Sequence, residues 1–236
     1  ETLQAVAPEI ERVFDETLTM TLGGQRQSLT EASARERTEF PVRLPAAAGE
    51  NARYEWTPPV HIALEVNLPL IQGLFAELGY QGIDLPAAID GKTVEADLAG
   101  MLTASYGACH EDAPVGQDCI TFVQMPSPSA TVPDGLDIDH LGRVYLELLG
   151  MPVEEATRLS ERIDWTTTLV LPFPHHVNLT HEAVRVDGVA GTLIHSQSGY
   201  RPAAEYLLTW VKDDIIYAIS GQGDSSAALE LAASLR

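Results

Sequence analysis

Lysine is almost missing from this chain. Only Lys92 and Lys212 occur, and the 14 basic residues face 34 acidic ones, for a formal net charge of -20. Such a surface repels phosphate backbones and anionic headgroups, so nucleic acid is excluded as an expected partner. The acidity serves solubility on an exposed protein as readily as it serves a cationic ligand. No run of about 18 apolar residues occurs, so no membrane-spanning helix is expected within the chain. Glu1 brings neither a Met nor an apolar leader with it. The expectation is a mature or trimmed form, with any membrane contact made through a segment outside these residues.

Cysteine is scarce too. Cys109 and Cys119 are the only two, separated by a polar loop that contains Pro114 and Gly116 and can bring them together. A disulfide between them is expected. Closing so short a loop contributes about 2 to 3 kcal/mol through the unfolded state. Two unrelated reduced cysteines are the alternative, because a single pair is slender support for an oxidising compartment.

The sequence motifs that announce chemistry are also missing. His175, His176, His181 and His195 fall in one third of the chain, but their spacing matches no metal-binding pattern, and no cysteine pair supplies thiolate ligands. Asp134, Asp137 and Asp139 surround Gly135 in an order unlike a calcium loop, and helix capping by Asp137 or Asp139 accounts for them. Ser196 and Ser198 before Gly199 do not make a nucleophile elbow. Gly91-Lys92-Thr93 lacks the upstream glycine of a phosphate loop. The lone sequon at Asn178 carries no function on its own. No catalytic, cofactor-binding or metal-ligating residue is therefore nominated, and no cofactor is expected.

What the sequence does hold is alternation. Glu205 to Gly221 has two aromatic and β-branched runs around Asp213-Asp214, which predicts a hairpin with Trp210 facing Tyr217 and Leu208 facing Ile219. A short helix follows, capped by Asp224 or Ser225, with Ala228, Leu231, Ala232 and Leu235 on one side. Ala183 to Val186, Asp187-Gly188 and Val189 to His195 predict a second hairpin. Strands are also predicted over Thr17 to Leu22, Val60 to Val66, Gly91 to Leu98, Ile120 to Met125 and Trp165 to Leu171.

Helices are predicted through Val13 along Leu3, Val6 and Ile10, and from the capping-box spacing of Ser28 and Glu31 to about Arg35. Further helices follow an Asn67 cap with Leu70, Ile71, Leu74, Phe75 and Leu78 inward, and an Asp139 cap with Leu141, Val144, Tyr145 and Leu148 inward. The last starts at Pro152, with Val153, Ala156 and Leu159 inward. Phe40 to Pro45 is bracketed by prolines and must run extended. At this length one large domain or two small ones are affordable. The preferred organisation is a helical arm over 1–37 and one α+β domain over 38–236, a curved antiparallel sheet with helices on one face. Pro126 to Gly135 is the best candidate for an internal boundary. A faint echo, helix then Ile-Asp then strand, links residues 70–98 with 141–171, as common elements in one order also do by chance.

Both ends of the chain resemble one family. Leu208-Thr209-Trp210 through Lys212-Asp213 to Ile216-Tyr217, with Ser220-Gly221 and the terminal helix, is similar to the ending of an extracytoplasmic bacterial domain of unknown function. That domain recurs on membrane-anchored anti-sigma-factor-like regulators and on lipoproteins. Ser28 to Glu31 followed by Phe40-Pro41-Val42-Arg43-Leu44-Pro45 resembles its opening. The resemblance implies an extracytoplasmic, tethered location and no catalytic residues. The expected function is a non-enzymatic sensor or interaction domain of a membrane-anchored regulator, acting on a protein partner or a small apolar ligand. The alternative is a periplasmic or secreted carrier holding an apolar or lipid ligand between sheet and helices.

Overall fold

The computed structural model describes residues 17–45, 52–77, 86–107, 109, 119–148, 151–168, 179–196 and 205–236. Its elements run β1 (Leu18–Leu22), β2 (Gln27–Leu29), α1 (Glu31–Arg37), β3 (Arg53–Thr57), β4 (Val60–Glu65), α2 (Leu68–Glu77), β5 (Thr93–Leu98), β6 (Met101–Gly107) and β7 (Cys119–Pro126). There follow β8 (Ser129–Thr131), α3 (Ile138–Leu148), α4 (Val153–Ser160), β9 (Leu179–Val186), β10 (Val189–Ser196), β11 (Glu205–Lys212), β12 (Ile215–Gln222) and α5 (Ser226–Ala233). The α+β class is as expected. Its strands form two antiparallel sheets, one ordered β1-β4-β5-β8 and one ordered β2-β3-β6-β7-β12-β11-β10-β9.

The chain divides into two compact units. The first holds Glu1–Gly23, Val60–Leu98 and Pro128–Val170, and the second holds Gly24–Pro59, Ala99–Ser127 and Leu171–Arg236. The helical arm expected over 1–37 lies outside the described residues up to residue 16, while residues 18–37 form β1, β2 and α1. Pro58-Pro59 separates β3 from β4, and since proline donates no backbone hydrogen bond, the ladder of one sheet stops there before the next begins. The boundary expected in Pro126 to Gly135 coincides with the passage at Ser127 and Pro128, and this stretch also contributes β8.

In the second unit, the hairpin of β11 and β12 holds the expected register: Trp210 pairs with Tyr217 and Leu208 with Ile219. Asp213 and Asp214 turn it at φ of 52° and 59°, the left-handed conformation that a tight two-residue hairpin demands. Asp187 (φ 49°) and Gly188 (φ 82°) do the same between β9 and β10. The period of two then sorts side chains by face. Tyr54, Trp56, Leu102, Ala104, Phe122, Tyr217, Ile219, Leu208, Trp210 and Leu193 enter one buried cluster with Ala34 of α1, Ala228 and Ala232 of α5, and Phe40 and Leu44. Both helices thus lie on the apolar face. Phe122, Tyr217 and Trp210 stack along it, with ring centroids 6.1 and 5.2 Å apart. Small residues make room for the large ones: a Cβ on Gly100 falls 2.0 Å from the Trp56 ring, and one on Gly221 falls 2.3 Å from the Tyr206 hydroxyl. The Cys109–Cys119 disulfide is formed, with Cα atoms 4.9 Å apart, where β6 hands over to β7.

In the first unit, alternation along β4 and β5 aligns Val60, Ile62 and Leu64 with Leu98, Ala96 and Val94, leaving His61, Glu65, Glu95 and Asp97 on the other side. Val66, Leu68 and Ile89 form a buried cluster joined by Ile71, Phe75, Val94, Leu136 and Leu141. Each fully buried aliphatic side chain there contributes about 1.5 to 3 kcal/mol. The helix after β4 is capped as predicted, the Asn67 side-chain oxygen accepting from the Leu70 N–H at 3.1 Å. A second acceptor, Asp90 Oδ1, takes the Leu68 N–H at 2.8 Å.

Several elements depart from expectation for local reasons. Thr30, not Ser28, caps α1: its hydroxyl accepts from the Ser33 N–H at 3.2 Å, while Ser28 is taken into β2. Asp137, not Asp139, caps α3 through the His140 N–H at 2.9 Å. On α4, Val153 is turned outward and 58% exposed, and Ser160 is buried, giving its hydroxyl proton to the Asp139 carbonyl. Residues 165–168 form a turn and not a strand. Asp164 accepts from both the backbone and hydroxyl of Thr166, and such a side-chain turn competes with the ladder. The echo between halves ends at this point. Residues 1–16, with the first predicted helix, and residues 78–80, with the Gly79 stop, lie outside the described residues.

Candidate interaction surfaces

Among the described residues, those singled out for chemistry do not converge on one site. His181 pairs with Ile194 and His195 with Thr180, so the two histidines project from opposite faces of the β9–β10 hairpin and share no ligand site. His175 and His176 lie outside the described residues, as do Ser198, Gly199 and Asn178. Asp137 is spent on its cap, and Asp134 sits in a turn before it. The Gly91 N–H is given to the Val66 carbonyl at 2.8 Å and the Lys92 N–H to the Ile89 carbonyl at 3.0 Å, so neither is free for a phosphate. Among the described residues, no three His, Cys, Asp or Glu side chains converge as a metal site.

One charged constellation is not announced by any sequence motif. Arg43, in the extended stretch after α1, forks onto Asp187 in the β9–β10 turn, with its Nη2 reaching the carboxylate at 3.1 Å and the Leu235 carbonyl at 3.2 Å. Lys212 Nζ adds a contact to the same carboxylate at 3.0 Å. The Arg43 guanidinium also lies 5.9 Å from the centre of the Tyr217 ring. Fully buried Gln124 reads the Arg43 backbone from below, accepting its N–H at 3.0 Å and donating to its carbonyl at 2.9 Å. Leu44 and Arg236 exchange backbone hydrogen bonds at 3.1 and 3.2 Å.

The Arg43 hydrogen bond holds the Asp187 carboxyl below its ordinary range against the opposing effect of burial, with Lys212 assisting. Reciprocally, the carboxylate pushes Arg43 up. This is a clasp between the segment leading into β3 and the end of the chain. The only sequence signal pointing to it is the pairing of a charged residue with an otherwise apolar extended stretch.

The opposite face of the eight-stranded sheet has a different character. A row across it runs Thr103, Val123, Ala218, Thr209 and Thr192. Next to it Met125, Ile216 and Val211 align. All are half-buried except Val211, which is 53% exposed, and none belongs to the buried cluster. Charge returns on the flanking strands, with Arg53 and Glu55 on β3 and His181 and Arg185 on β9. An uncharged strip bounded by charge, on so acidic a chain, has the composition of an interaction face.

Burial raises the Tyr106 hydroxyl well above its ordinary range, and it has no hydrogen-bond partner among the described residues. The Trp210 indole N–H is likewise buried and unpartnered. Comparison with family models, with curated proteins and with solved structures finds no match for the chain.

Proposed function

We propose that this chain is a non-enzymatic, extracytoplasmic sensor or interaction domain of a membrane-anchored regulator of the anti-sigma-factor-like kind. The observation that carries the reading is the meeting of the two ends that bear the family resemblance. Ser28 to Pro45 and Leu208 to Arg236 fall in the same compact unit and are fastened by the Arg43 clasp and the Leu44–Arg236 backbone pair. The intervening residues of the first unit read as an elaboration of that frame. The disulfide fits an oxidising compartment, and no helix among the described residues is long and apolar enough to cross a membrane. On this reading the anchor is a segment outside the described residues.

The uncharged strip on the sheet is where a protein partner or a small apolar ligand binds. The carrier alternative puts its ligand between sheet and helices. In the second unit that layer is occupied by Phe40, Leu44, Phe122 and Tyr217, which favours binding on the opposite face. A tethered domain of this sort acts by binding two states of its membrane segment unequally, with no bond made or broken. Deleting residues 1–236 from the full-length protein is expected to alter expression of the genes it controls. Unchanged expression, at rest and under envelope stress, together with hydrolase activity in the purified chain, overturns the proposal.

A further inference from the structure

The two sheets leave four edge strands among the described residues: β1 and β8 on one, β2 and β9 on the other. An edge presents unpaired N–H and C=O groups to any passing strand, and natural sheets blunt it with shortness, charge or proline. Three of the four are blunted. β2 and β8 are three residues long, and the Ala130 N–H of β8 is already given to the Thr166 carbonyl at 2.8 Å. β9 carries His181, Glu182 and Arg185. β1 has none of these devices: Leu18-Thr19-Met20-Thr21-Leu22 contains no charge and no proline, with Met20 55% and Leu22 64% exposed.

These five residues also read the same in both directions. A two-fold axis through Met20 sets Met20 opposite Met20, Thr19 opposite Thr21 and Leu18 opposite Leu22, so each cross-strand pair is apolar on apolar or hydroxyl on hydroxyl. Leu18, Met20 and Leu22 lie beside Leu64, Ile62 and Val60, so the apolar face of the sheet would run unbroken across the axis. A slip by one residue would place leucines among threonines on the wrong face. We infer that β1 pairs antiparallel with the β1 of a second copy of this chain, joining two four-stranded sheets into one of eight. The contact is isologous and closes on itself, which makes a dimer and not a fibre. It is independent of the regulator reading.

Sedimentation of the full chain up to about 1 mM, the concentration needed to reveal a weak contact, is expected to show a reversible rise from 25.5 kDa toward twice that mass. Met20→Lys sets two like charges opposite each other on the axis and is expected to move dimerisation to at least about ten-fold higher concentration. Its near-ultraviolet circular dichroism should be unchanged, since the site is exposed. Under mild oxidation Met20→Cys is expected to give a covalent dimer at least about ten-fold faster than Leu22→Cys, because only residue 20 faces itself. The cysteine comparison decides the matter if the lysine variant misfolds. A single 25.5 kDa species throughout, equal dimerisation of a folded Met20→Lys, or equal cross-linking of the two cysteine variants overturns the inference. A strand from a different protein on this edge would leave the purified chain monomeric, and so counts against it as well.

Discussion

Trp210→Ala tests the organising hairpin most directly. The side chain is 2% exposed and stacks on Tyr217 at 5.2 Å with the rings 13° from parallel. Removing roughly 200 Å² of buried aromatic surface costs about 5 kcal/mol at about 25 cal/mol per Å². Loss of the stack adds about 0.5 to 1.5 kcal/mol. One term has the opposite sign: the indole N–H is buried without a partner, and deleting it returns about 1 to 3 kcal/mol. The expected net loss is about 3 to 5 kcal/mol, within the range for large aromatic truncations in packed cores.

Trp210→Phe separates these contributions, because it keeps a ring on Tyr217 and removes the orphaned donor. It should cost no more than about 2 kcal/mol. Urea unfolding followed by far-ultraviolet circular dichroism measures both, with the slope compared between variants, because two compact units need not melt as one. A loss under about 1 kcal/mol for the alanine variant would mean that the aromatic row does not organise the core. Equal losses for alanine and phenylalanine would refute the contribution given to the ring on Tyr217, because both variants remove the N–H.

Gly142→Ala in α3 drives a methyl to within 2.0 Å of the Trp165 ring, which also donates its N–H to Ser160 at 3.1 Å. The ring must move, with a cost of about 1 to 3 kcal/mol and a changed tryptophan emission spectrum. Asp187→Asn removes the charge of the clasp while keeping a residue that tolerates the turn, and should cost about 1 to 3 kcal/mol at neutral pH. Since the folded-state pKa of Asp187 is depressed, its contribution is complete above its unfolded value and is lost as pH falls through the folded one. The gap between wild type and variant should therefore narrow in thermal melts as pH falls below the ordinary carboxylate range. Asp214→Gly relieves a left-handed non-glycine residue at φ 59° and is expected to stabilise the hairpin by about 0.5 to 1 kcal/mol, read from the urea midpoint.

What the sequence determined by itself was local. The hairpin registers followed from period two and from turn pairs, because a one-residue slip would send Trp210 and Leu208 to the wrong face. The disulfide was legible because two cysteines flanked a short turn-forming loop. The start of α2 was legible because Asn67 precedes Pro69 and an apolar stripe. Elements whose reasons lie elsewhere in the chain were not legible. Tyr54 and Trp56 alternate with Arg53, Glu55 and Thr57 in the sequence of β3, but that Trp56 lies beside Leu102 and Tyr54 beside Ala104 of β6 is set by the fold.

Trp165 carries the composition of a strand residue, yet its ring is held by Gly142 and Ser160 and its backbone by the Asp164 turn. The histidines of the last third look like neighbours in sequence, and the pleat sends His181 and His195 to opposite faces. The Arg43–Asp187 clasp joins residues 144 positions apart, and the Leu44–Arg236 pair ties the extended stretch before β3 to the end of the chain. Side-chain periodicity is written into consecutive residues. Which strands share a sheet, which edge stays bare and which charge meets which depend on contacts between distant residues, and only the folded chain decides them.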